Sequence, residues 1–552
     1  MPDHMDKMNQ ESLLFFPRVN RRVFSVSAIL IIGFIILGAA FSETAGTVFN
    51  GAQDWLAGKL GWAMIALVNV LVIAVVYLAF GRFGDIRLGK MTEEPAYGLF
   101  PWTAMLFSAG IGIGLIYWGA AEPLYHYFAP PIGEAETEAA AKQAMTISFL
   151  HWGFHAWAIY AIVALSLAYF HFRKGLPLTI RSALYPLLGE KIFGFWGDVV
   201  DILAVFGTMF GIVTSLGLGA MQINSGLGEV FGVPQSTTVQ ILVIAGITAM
   251  ATLSVVAGLD GGIKRLSSLN ILLSLVFLVF MVIVGPTLFI FDTFVQSYGA
   301  YVRDLVFWGT WSEAWTDGGT WQNSWTIFYW AWWVSWAPFV GVFVARISRG
   351  RTIREFLVGV MLIPATIMFF WFCAFGGTAL SISLGGDPTL VEATKESYGD
   401  AMFALLGYFP ASELTSGFAI VLITLWFVTS SDSGSFVIDM LTAGGDPDPP
   451  KVQRVFWAVS EGAVASVLLL AGGLSALQAA AVIAGFPFAV VIVLILVGLF
   501  KALSWDPLMV YRHNQRYRND AEADHAMPDE LPGELYGQDP VVPSEGSAQP
   551  AE

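Results

Sequence analysis

Long runs of apolar residues, separated by short polar segments, dominate the pattern along the chain. An α-helix needs about 20 mostly apolar residues to cross the hydrocarbon core of a bilayer. By this criterion the chain has about twelve candidate spans. They cover residues 24–42, 61–80, 98–119, 144–171, 194–220, 236–257, 265–290, 325–345, 354–382, 413–440, 454–473 and 476–503. The pattern predicts an all-α polytopic membrane protein with about twelve transmembrane helices.

The loops between these spans alternate between basic and acidic. Basic residues precede span one and follow the even-numbered spans, as at 18–22 and 346–354. The intervening loops carry acidic residues instead, such as Glu134 and Asp387. Cytoplasmic loops carry an excess of Lys and Arg, so both termini are predicted in the cytoplasm and the protein in the cytoplasmic (inner) membrane.

Composition agrees with a membrane protein and excludes several other classes. Of the 552 residues 56% are hydrophobic and only 12% charged, and the mean hydropathy is +0.67. Soluble domains contain about 25% charged residues. The net charge of −15 argues against a nucleic-acid partner, and the single cysteine, Cys373, excludes a disulfide framework or a thiolate metal site. No cleavable signal peptide is apparent, so the first span is expected to direct insertion.

Two spans contain residues that disfavour a regular helix. Span three has Gly110, Gly112 and Gly114, each costing about 1 kcal/mol relative to Ala, and span eight has Pro338, which lacks a backbone donor. Interrupted spans at matching places in two halves indicate a transporter's substrate site and an inverted repeat. Close helix packing through small residues is the alternative. The predicted segments are 1–23 (cytoplasmic), 24–97 (two extra helices), 98–293 (first five-helix repeat), 294–324 (extracytoplasmic connector), 325–503 (second repeat) and 504–552 (acidic, disordered cytoplasmic tail).

Span eight also holds an unusual concentration of aromatic residues. Between residues 325 and 339 it contains five tryptophans, a tyrosine and two phenylalanines. Trp333 and Trp336 share one helix face by their spacing, as do Trp157 and Tyr160 in span four. A permanently methylated cation cannot donate a hydrogen bond and is held by ring faces. The tryptophans therefore predict an aromatic cavity for such a cation.

Several motifs in this order resemble the betaine/choline/carnitine transporter family over about residues 20 to 510. They are Met105-Leu-Phe-Ser-Ala-Gly-Ile-Gly-Ile-Gly-Leu115, Glu122-Pro123, His151-Trp-Gly-Phe-His-Ala-Trp-Ala-Ile-Tyr160, the tryptophan run, Ala345-Arg-Ile-Ser-Arg-Gly-Arg351 and Thr429-Ser-Ser-Asp-Ser-Gly434. The resemblance implies a LeuT-type 5+5 inverted repeat preceded by two extra helices. It also implies assembly as a homotrimer.

The resemblance implies a substrate site made from these motifs. An aromatic box would hold the cationic end, with two further tryptophans lining the path, and the amides of the glycine motif would hold a carboxylate. The box is Trp152, Trp157, Tyr160 and Trp333, the path residues are Trp332 and Trp336, and the glycines are Gly110, Gly112 and Gly114. Trp102, Trp118 and Trp325 are expected instead to anchor the protein at the lipid interface. Choline carriers of the family have an aspartate where this chain has Gly114, because choline has no negative charge of its own and the carrier supplies one. The glycine in this chain therefore favours a zwitterionic substrate.

The resemblance also implies sodium as the coupling ion, with no other cofactor. The better matched site would use the hydroxyls of Thr429 and Ser430 with the carbonyls of Ser108, Ile111 and Trp426. A second site matches only at Thr208 and Phe339. Ile212 occupies the position where the family has a second threonine, and it offers no side-chain oxygen. Either Thr214 or Ser215 supplies the missing hydroxyl ligand, or the site is lost.

Ionisable residues in or near the spans are functional candidates by default. They are Asp201, Asp432, Glu461, His151 and His155. The two histidines have the spacing of metal ligands, but hydrogen bonds to neighbouring backbone are the favoured prediction, since no carboxylate of suitable spacing accompanies them. Asp432 either relays protons or, the favoured reading, orients hydroxyls or caps a helix.

These inferences combine into one functional hypothesis. The chain is expected to be a sodium-coupled symporter that imports a methylated zwitterion, glycine betaine or dimethylsulfoniopropionate, by alternating access. The alternatives are a proton-coupled choline carrier and a substrate-gated sensor or channel. An enzyme is not expected, because the sequence offers no nucleophile–base pair or metal cluster.

Overall fold

The computed structural model describes residues 10–13, 16–110, 112–257, 260–316 and 320–511, which form a bundle of packed α-helices. A short antiparallel hairpin, β1 (Gln10–Leu13) and β2 (Phe16–Asn20), precedes the bundle. The first helices are α1 (Arg21–Ala40), α2 (Ser42–Phe80), α3 (Leu99–Gly110), α4 (Ile113–Phe128), α5 (Glu138–Trp152), α6 (Phe154–Ala168), α7 (Tyr185–Leu188), α8 (Phe195–Phe231), α9 (Thr237–Ala257) and α10 (Asp260–Val284). The remaining helices are α11 (Thr287–Thr310), α12 (Thr320–Gln322), α13 (Phe328–Ile347), α14 (Ile353–Phe372), α15 (Thr378–Leu384), α16 (Thr389–Glu396), α17 (Asp400–Leu406), α18 (Ser412–Thr442), α19 (Lys451–Gly472) and α20 (Leu474–Ser504).

Among the described residues, eleven helices are long and apolar enough to cross a membrane. They correspond to eleven of the twelve predicted spans. The remaining predicted span, 98–119, is divided between α3 and α4. The all-α polytopic class is therefore confirmed.

The division of this span falls at the glycine motif, as predicted. Helix α3 ends at Gly110, and Gly112 is fully extended (φ −165°, ψ −175°) before α4 begins. Ile111 lies outside the described residues. A second division, which the sequence did not predict, separates α5 from α6 at Gly153 in span four. A Cβ at Gly153 would lie 2.6 Å from the Phe369 ring, so close packing requires glycine there.

Span eight is not interrupted, and the expectation of a matching break there is wrong. Helix α13 runs unbroken through Pro338, and a π-helical segment, Asn323–Ile327, joins it to α12. A proline inside a transmembrane helix is tolerated because neighbouring groups can satisfy the backbone carbonyl that it frees. The tryptophans of span eight are therefore displayed on one continuous helix.

The predicted extracytoplasmic connector, 294–324, is largely helical. Helix α11 occupies most of it and carries exposed apolar residues such as Leu288 and Val306.

The segment that follows α20 is attached to the bundle by an ion pair. Asp506 is buried there and receives two hydrogen bonds from Arg173, at 2.6 and 2.7 Å. This ion pair fixes the residues that follow α20 against the bundle.

Asp201, one of the ionisable candidates, is fully buried in an ion pair. Its Oδ2 accepts from Arg181 Nε at 2.6 Å and its Oδ1 accepts from the Arg181 backbone N–H at 3.1 Å. The same guanidinium donates to Asp198 Oδ1 at 3.0 Å. Buried charges require such partners, so Asp201 contributes to the structure at the start of α8.

Candidate substrate and ion site

A cavity of about 1000 Å³ lies between the two halves of span three, span four, span eight and α18. It brings together most of the residues predicted from sequence. Its lining includes Gly112, Gly114, Trp152, Trp157, Tyr160, Trp332, Trp333, Trp336, Phe339, Trp426, Thr429 and Ser430. Residues predicted to bind substrate and sodium, which lie far apart in the sequence, thus line one cavity.

Neighbouring rings of the predicted box meet edge to face. The centroids of Trp152 and Trp333 are 4.9 Å apart with planes at 69°. Tyr160 lies 6.3 Å from Trp333 at 71° and 5.4 Å from Trp157 at 77°. Because all four rings also line the cavity, their arrangement has the geometry of a cage for a methylated cation.

The two path residues occupy different positions. Trp332 is stacked between Phe328 and Trp333, with interplanar angles of 17° and 16°, and its indole N–H donates to the Gly211 carbonyl. Trp336 is half-buried and lines the cavity. Its indole nitrogen has no hydrogen-bond partner among the described residues. Trp332 therefore supports the cage, whereas Trp336 lines the cavity with its ring while its indole nitrogen is buried in the protein.

The glycine motif opens onto the same cavity. Ile113 and Gly114 begin α4, so their backbone N–H groups lack carbonyl partners within the helix. A helix N-terminus of this kind is suited to a carboxylate. A Cβ at Gly112 would meet nothing within 4 Å, whereas one at Gly114 would lie 2.8 Å from Trp332 and 3.1 Å from Trp152. The indoles therefore require glycine at position 114 for steric reasons as well.

Two of the predicted sodium ligands are adjacent on α18. The Thr429 hydroxyl lies 3.1 Å from the Trp426 carbonyl oxygen, and Ser430 lines the cavity beside it. The side chain of Asn270 on α10 donates to the Thr429 hydroxyl at 2.9 Å, a contact that the sequence did not reveal. Ser108 is part of α3, and Ile111 lies outside the described residues.

The residues of the second predicted sodium site differ in their surroundings. Thr208 is fully buried, and its hydroxyl has no hydrogen-bond partner in the part of the chain that the structure describes. Ile212 packs against Gly434, where a Cβ would lie 2.3 Å from its Cδ1. The Thr214 hydroxyl is within 2.9 Å of the Leu477 carbonyl, whereas Ser215 lines the cavity. Ser215 is therefore the better placed of the two replacements.

The buried histidines do not bond to neighbouring backbone, and that prediction is wrong. His151 Nδ1 lies 2.7 Å from Glu122 Oε1 and its Nε2 lies 3.0 Å from the Thr326 hydroxyl. A carboxylate does accompany His151 in space, since the ligand atoms of Glu122, His126 and His151 lie within 4.8 Å of one another. His155 instead contacts Asn69 Oδ1 at 3.3 Å.

Two further carboxylates lie at or behind the cavity wall. Asp432 lines the cavity, within the unbroken helix α18 rather than at a helix cap. Glu461 is fully buried on α19 and accepts from the Ser431 hydroxyl at 2.9 Å. Of the pair, only Asp432 can therefore contact a solute in the cavity.

Three tryptophans assigned to the lipid interface are buried inside the protein. Trp102 donates to the Ser348 hydroxyl at 3.0 Å, and the Arg351 guanidinium lies 3.9 Å from its ring centroid. Trp118 and Trp325 pack edge to face, 5.3 Å apart. The prediction failed because membrane-anchoring and packed tryptophans have the same sequence signature.

The cavity extends from the cage to a basic end. Arg346 and Arg454 line it there, each with its guanidinium near the Phe436 ring, at 5.5 and 4.6 Å. At the opposite side of the cage, Trp118, Trp325 and other rings fill the interior. The site is therefore connected to the arginine end of the bundle.

Comparison with known proteins identifies the family to which the chain belongs. Residues 22–507 match the profile of the BCCT, betaine/carnitine/choline family transporter. The chain is 43% identical over 514 residues to the glycine betaine/proline/choline transporter of Vibrio parahaemolyticus, covering 89% of this chain and 91% of that protein. It is 44% identical over 482 residues to the glycine betaine transporter OpuD of Bacillus subtilis, covering 85% and 92%. A glycine betaine transporter of Acinetobacter baylyi is 45% identical over 498 residues, covering 89% of this chain and 74% of the relative.

The profile covers every helix that bears a cavity residue, and the relatives are transporters by name. The chain belongs to the betaine/carnitine/choline transporter family and is a multi-pass membrane transporter, not an enzyme.

Proposed function

We propose that this protein is a sodium-coupled symporter that imports a compact methylated zwitterion, glycine betaine or dimethylsulfoniopropionate. The observation that carries the proposal is the shared cavity, in which the aromatic cage and the N-terminus of α4 face one space. A betaine presents methyl groups on its cationic end and a carboxylate on the other, so one molecule satisfies both. Relatives named as glycine betaine transporters support this substrate class.

Sodium as the coupling ion is supported by the oxygen atoms of α18. The Thr429 hydroxyl, the Trp426 carbonyl oxygen to which it donates and the cavity-lining Ser430 are hard oxygen groups of the kind that a sodium ion prefers. Asn270 holds the hydroxyl in place from α10. A sodium ion at this position would link α18 to the broken span three, and coupling requires such a link between ion and substrate site.

Transport would proceed by alternating access, in which the helices that carry the cage rock against the rest. The positive-inside rule puts the arginine end of the cavity at the cytoplasmic side, which supports release of the substrate into the cytoplasm from this end. We further propose a homotrimer in the cytoplasmic membrane, with both termini in the cytoplasm. The exposed apolar face of α11 supports contact with lipid or a second subunit.

Uptake into proteoliposomes tests the proposal. Radiolabelled glycine betaine is supplied with an inward sodium gradient or an equal proton gradient, with dimethylsulfoniopropionate and choline as unlabelled competitors. Concentrative uptake that needs sodium, and that the sulfonium compound blocks more strongly than choline, is the expected result. Equilibration without accumulation would indicate a channel.

A second candidate function is proton-coupled transport of choline or another quaternary ammonium compound. The cavity carboxylate Asp432 favours it, because that group can bind a proton or face a cation that brings no negative charge of its own. This alternative requires uptake that persists without sodium and responds to a proton gradient. Strong competition by choline would support it against the zwitterion.

A further inference from the structure

A buried carboxylate, Glu122 on α4, lies directly behind the cage, and the sequence pattern predicted no role for it. It has no exposed surface, and side chains from two other helices, α5 and α13, converge on it together with His126 of its own helix. Its Oε2 accepts from the Trp152 indole N–H at 2.8 Å and from the Tyr329 hydroxyl at 2.5 Å. Its Oε1 lies 2.7 Å from His151 Nδ1 and 3.5 Å from His126 Nε2.

These contacts are consistent with an ionised carboxylate. An indole nitrogen can only donate, so the contact with Trp152 makes Oε2 an acceptor. A neutral His151 with its proton on Nδ1 donates to Glu122 and accepts from the Thr326 hydroxyl at 3.0 Å. In this arrangement the group carries one negative charge, held by donors from α5 and α13 that satisfy its oxygens.

Two of the cage rings are hydrogen-bonded to Glu122 or to its partner residue His151. Trp152 is a cage wall, and its only ring nitrogen is bonded to Glu122. Trp333, the facing wall, donates its indole N–H to the backbone carbonyl of His151 at 2.8 Å. Tyr329 stacks on the His151 ring, 4.6 Å between centroids. Glu122 is thus joined to both walls, to Trp152 directly and to Trp333 through His151.

We propose that Glu122 is a positioning and specificity-determining residue for the cationic end of the substrate. Its hydrogen bond to the indole N–H holds the Trp152 ring with its nitrogen edge toward Glu122. Its charge, bonded at the ring edge, increases the electron density of the indole face that the cation contacts. In a site that excludes water such polarisation is strong, so the cage discriminates a cationic group from a neutral group of the same shape. The inference rests on the proposed methylated substrate.

A neutral isostere separates charge from shape. Tert-butylacetate has the outline of glycine betaine, with carbon in place of the quaternary nitrogen. Its competition with radiolabelled glycine betaine is measured for wild type and Glu122→Gln, because the amide keeps the size and an acceptor oxygen but removes the charge. We expect the variant to bind glycine betaine roughly tenfold more weakly, which corresponds to about 1.4 kcal/mol. Binding of the isostere should stay within about twofold of wild type.

A double-mutant cycle with Trp152→Phe tests whether the effect passes through the indole. Phenylalanine keeps an aromatic wall but lacks the N–H, so Glu122→Gln should have a smaller effect in that background. The single variant Trp152→Phe should also reduce the preference for glycine betaine over the isostere. This second measurement leaves the inference testable even where Glu122→Gln fails to fold.

Three outcomes overturn the inference. Equal weakening of both ligands by Glu122→Gln means that the carboxylate only maintains the fold. Fully additive effects of the two substitutions mean that Glu122 does not act through Trp152. If wild type binds the isostere as tightly as glycine betaine, the cage does not discriminate by charge. Wild-type protein that binds no glycine betaine refutes the proposed substrate itself, a result distinguishable from the other three.

Discussion

Replacing Trp333 by alanine should weaken substrate binding more than any other single truncation in the cage. Its ring stands in the centre of the aromatic site, 4.6 Å from Trp332 and 4.9 Å from Trp152 between centroids. It lines the cavity with only 6% of its surface exposed. The substitution removes this wall and also the donor to the His151 carbonyl.

The expected loss follows from the desolvated position of the ring. One aromatic face over a buried cation contributes up to about 2 kcal/mol. Since 1.4 kcal/mol corresponds to a tenfold change in Kd, Trp333→Ala should raise the Kd for glycine betaine by about 30-fold. Trp333→Phe keeps a ring but loses the indole N–H, so its Kd should lie between those of wild type and the alanine variant.

Equilibrium binding of radiolabelled glycine betaine to purified protein in sodium buffer measures this effect. Trp315→Ala is a matched control, because Trp315 is fully exposed in the connector. Removal of a buried indole also costs about 3–5 kcal/mol of stability, so thermal unfolding must show that the variant remains folded. A folded Trp333→Ala protein with a Kd within about twofold of wild type would refute the cage.

Three other substitutions test separate parts of the site and fold. Gly114→Asp should weaken glycine betaine binding at least roughly tenfold, because its Cβ would lie 2.8 Å from Trp332. It should also favour choline in competition, because the added carboxylate supplies the negative charge that choline lacks. Unchanged glycine betaine binding would refute the steric argument. Thr429→Ala should raise the sodium concentration for half-maximal uptake roughly tenfold, and an unchanged sodium dependence would place the ion elsewhere. Arg181→Ala leaves the buried charge of Asp201 unpaired and should destabilise the fold by about 3–5 kcal/mol; an unchanged unfolding temperature would contradict this.

Hydrophobic patterning predicted the spans well because the bilayer imposes a minimum length and an apolar composition on each. The low helix propensity of the glycine motif predicted the break in span three, which the structure places around Gly112. The same reasoning failed at Pro338, because a proline in a transmembrane helix needs only local compensation to be accommodated. The close packing of the Phe369 ring against Gly153 comes from a distant segment, so no local pattern reveals it.

The residues lining the cavity were predictable, whereas the residues behind them were not. The order of the family motifs predicted the cage residues and the sodium residues of α18. The structure brings those residues to one cavity. Glu122 was noticed only as part of a Glu-Pro motif, although a charged residue at the end of a span is a functional candidate by itself. Its partners, Tyr329 and Trp152, lie 207 and 30 positions away in the chain. Such contacts appear only once the helices are packed.

In the proposed mechanism, one cavity binds a methylated zwitterion together with sodium. The most direct test is the Kd of glycine betaine measured over a range of sodium concentrations, with potassium keeping the ionic strength constant. We predict that Kd falls as sodium rises, and that saturating betaine lowers the sodium concentration for half-saturation by the same factor, as linkage requires. A Kd that is independent of sodium and changes instead with pH would contradict the account.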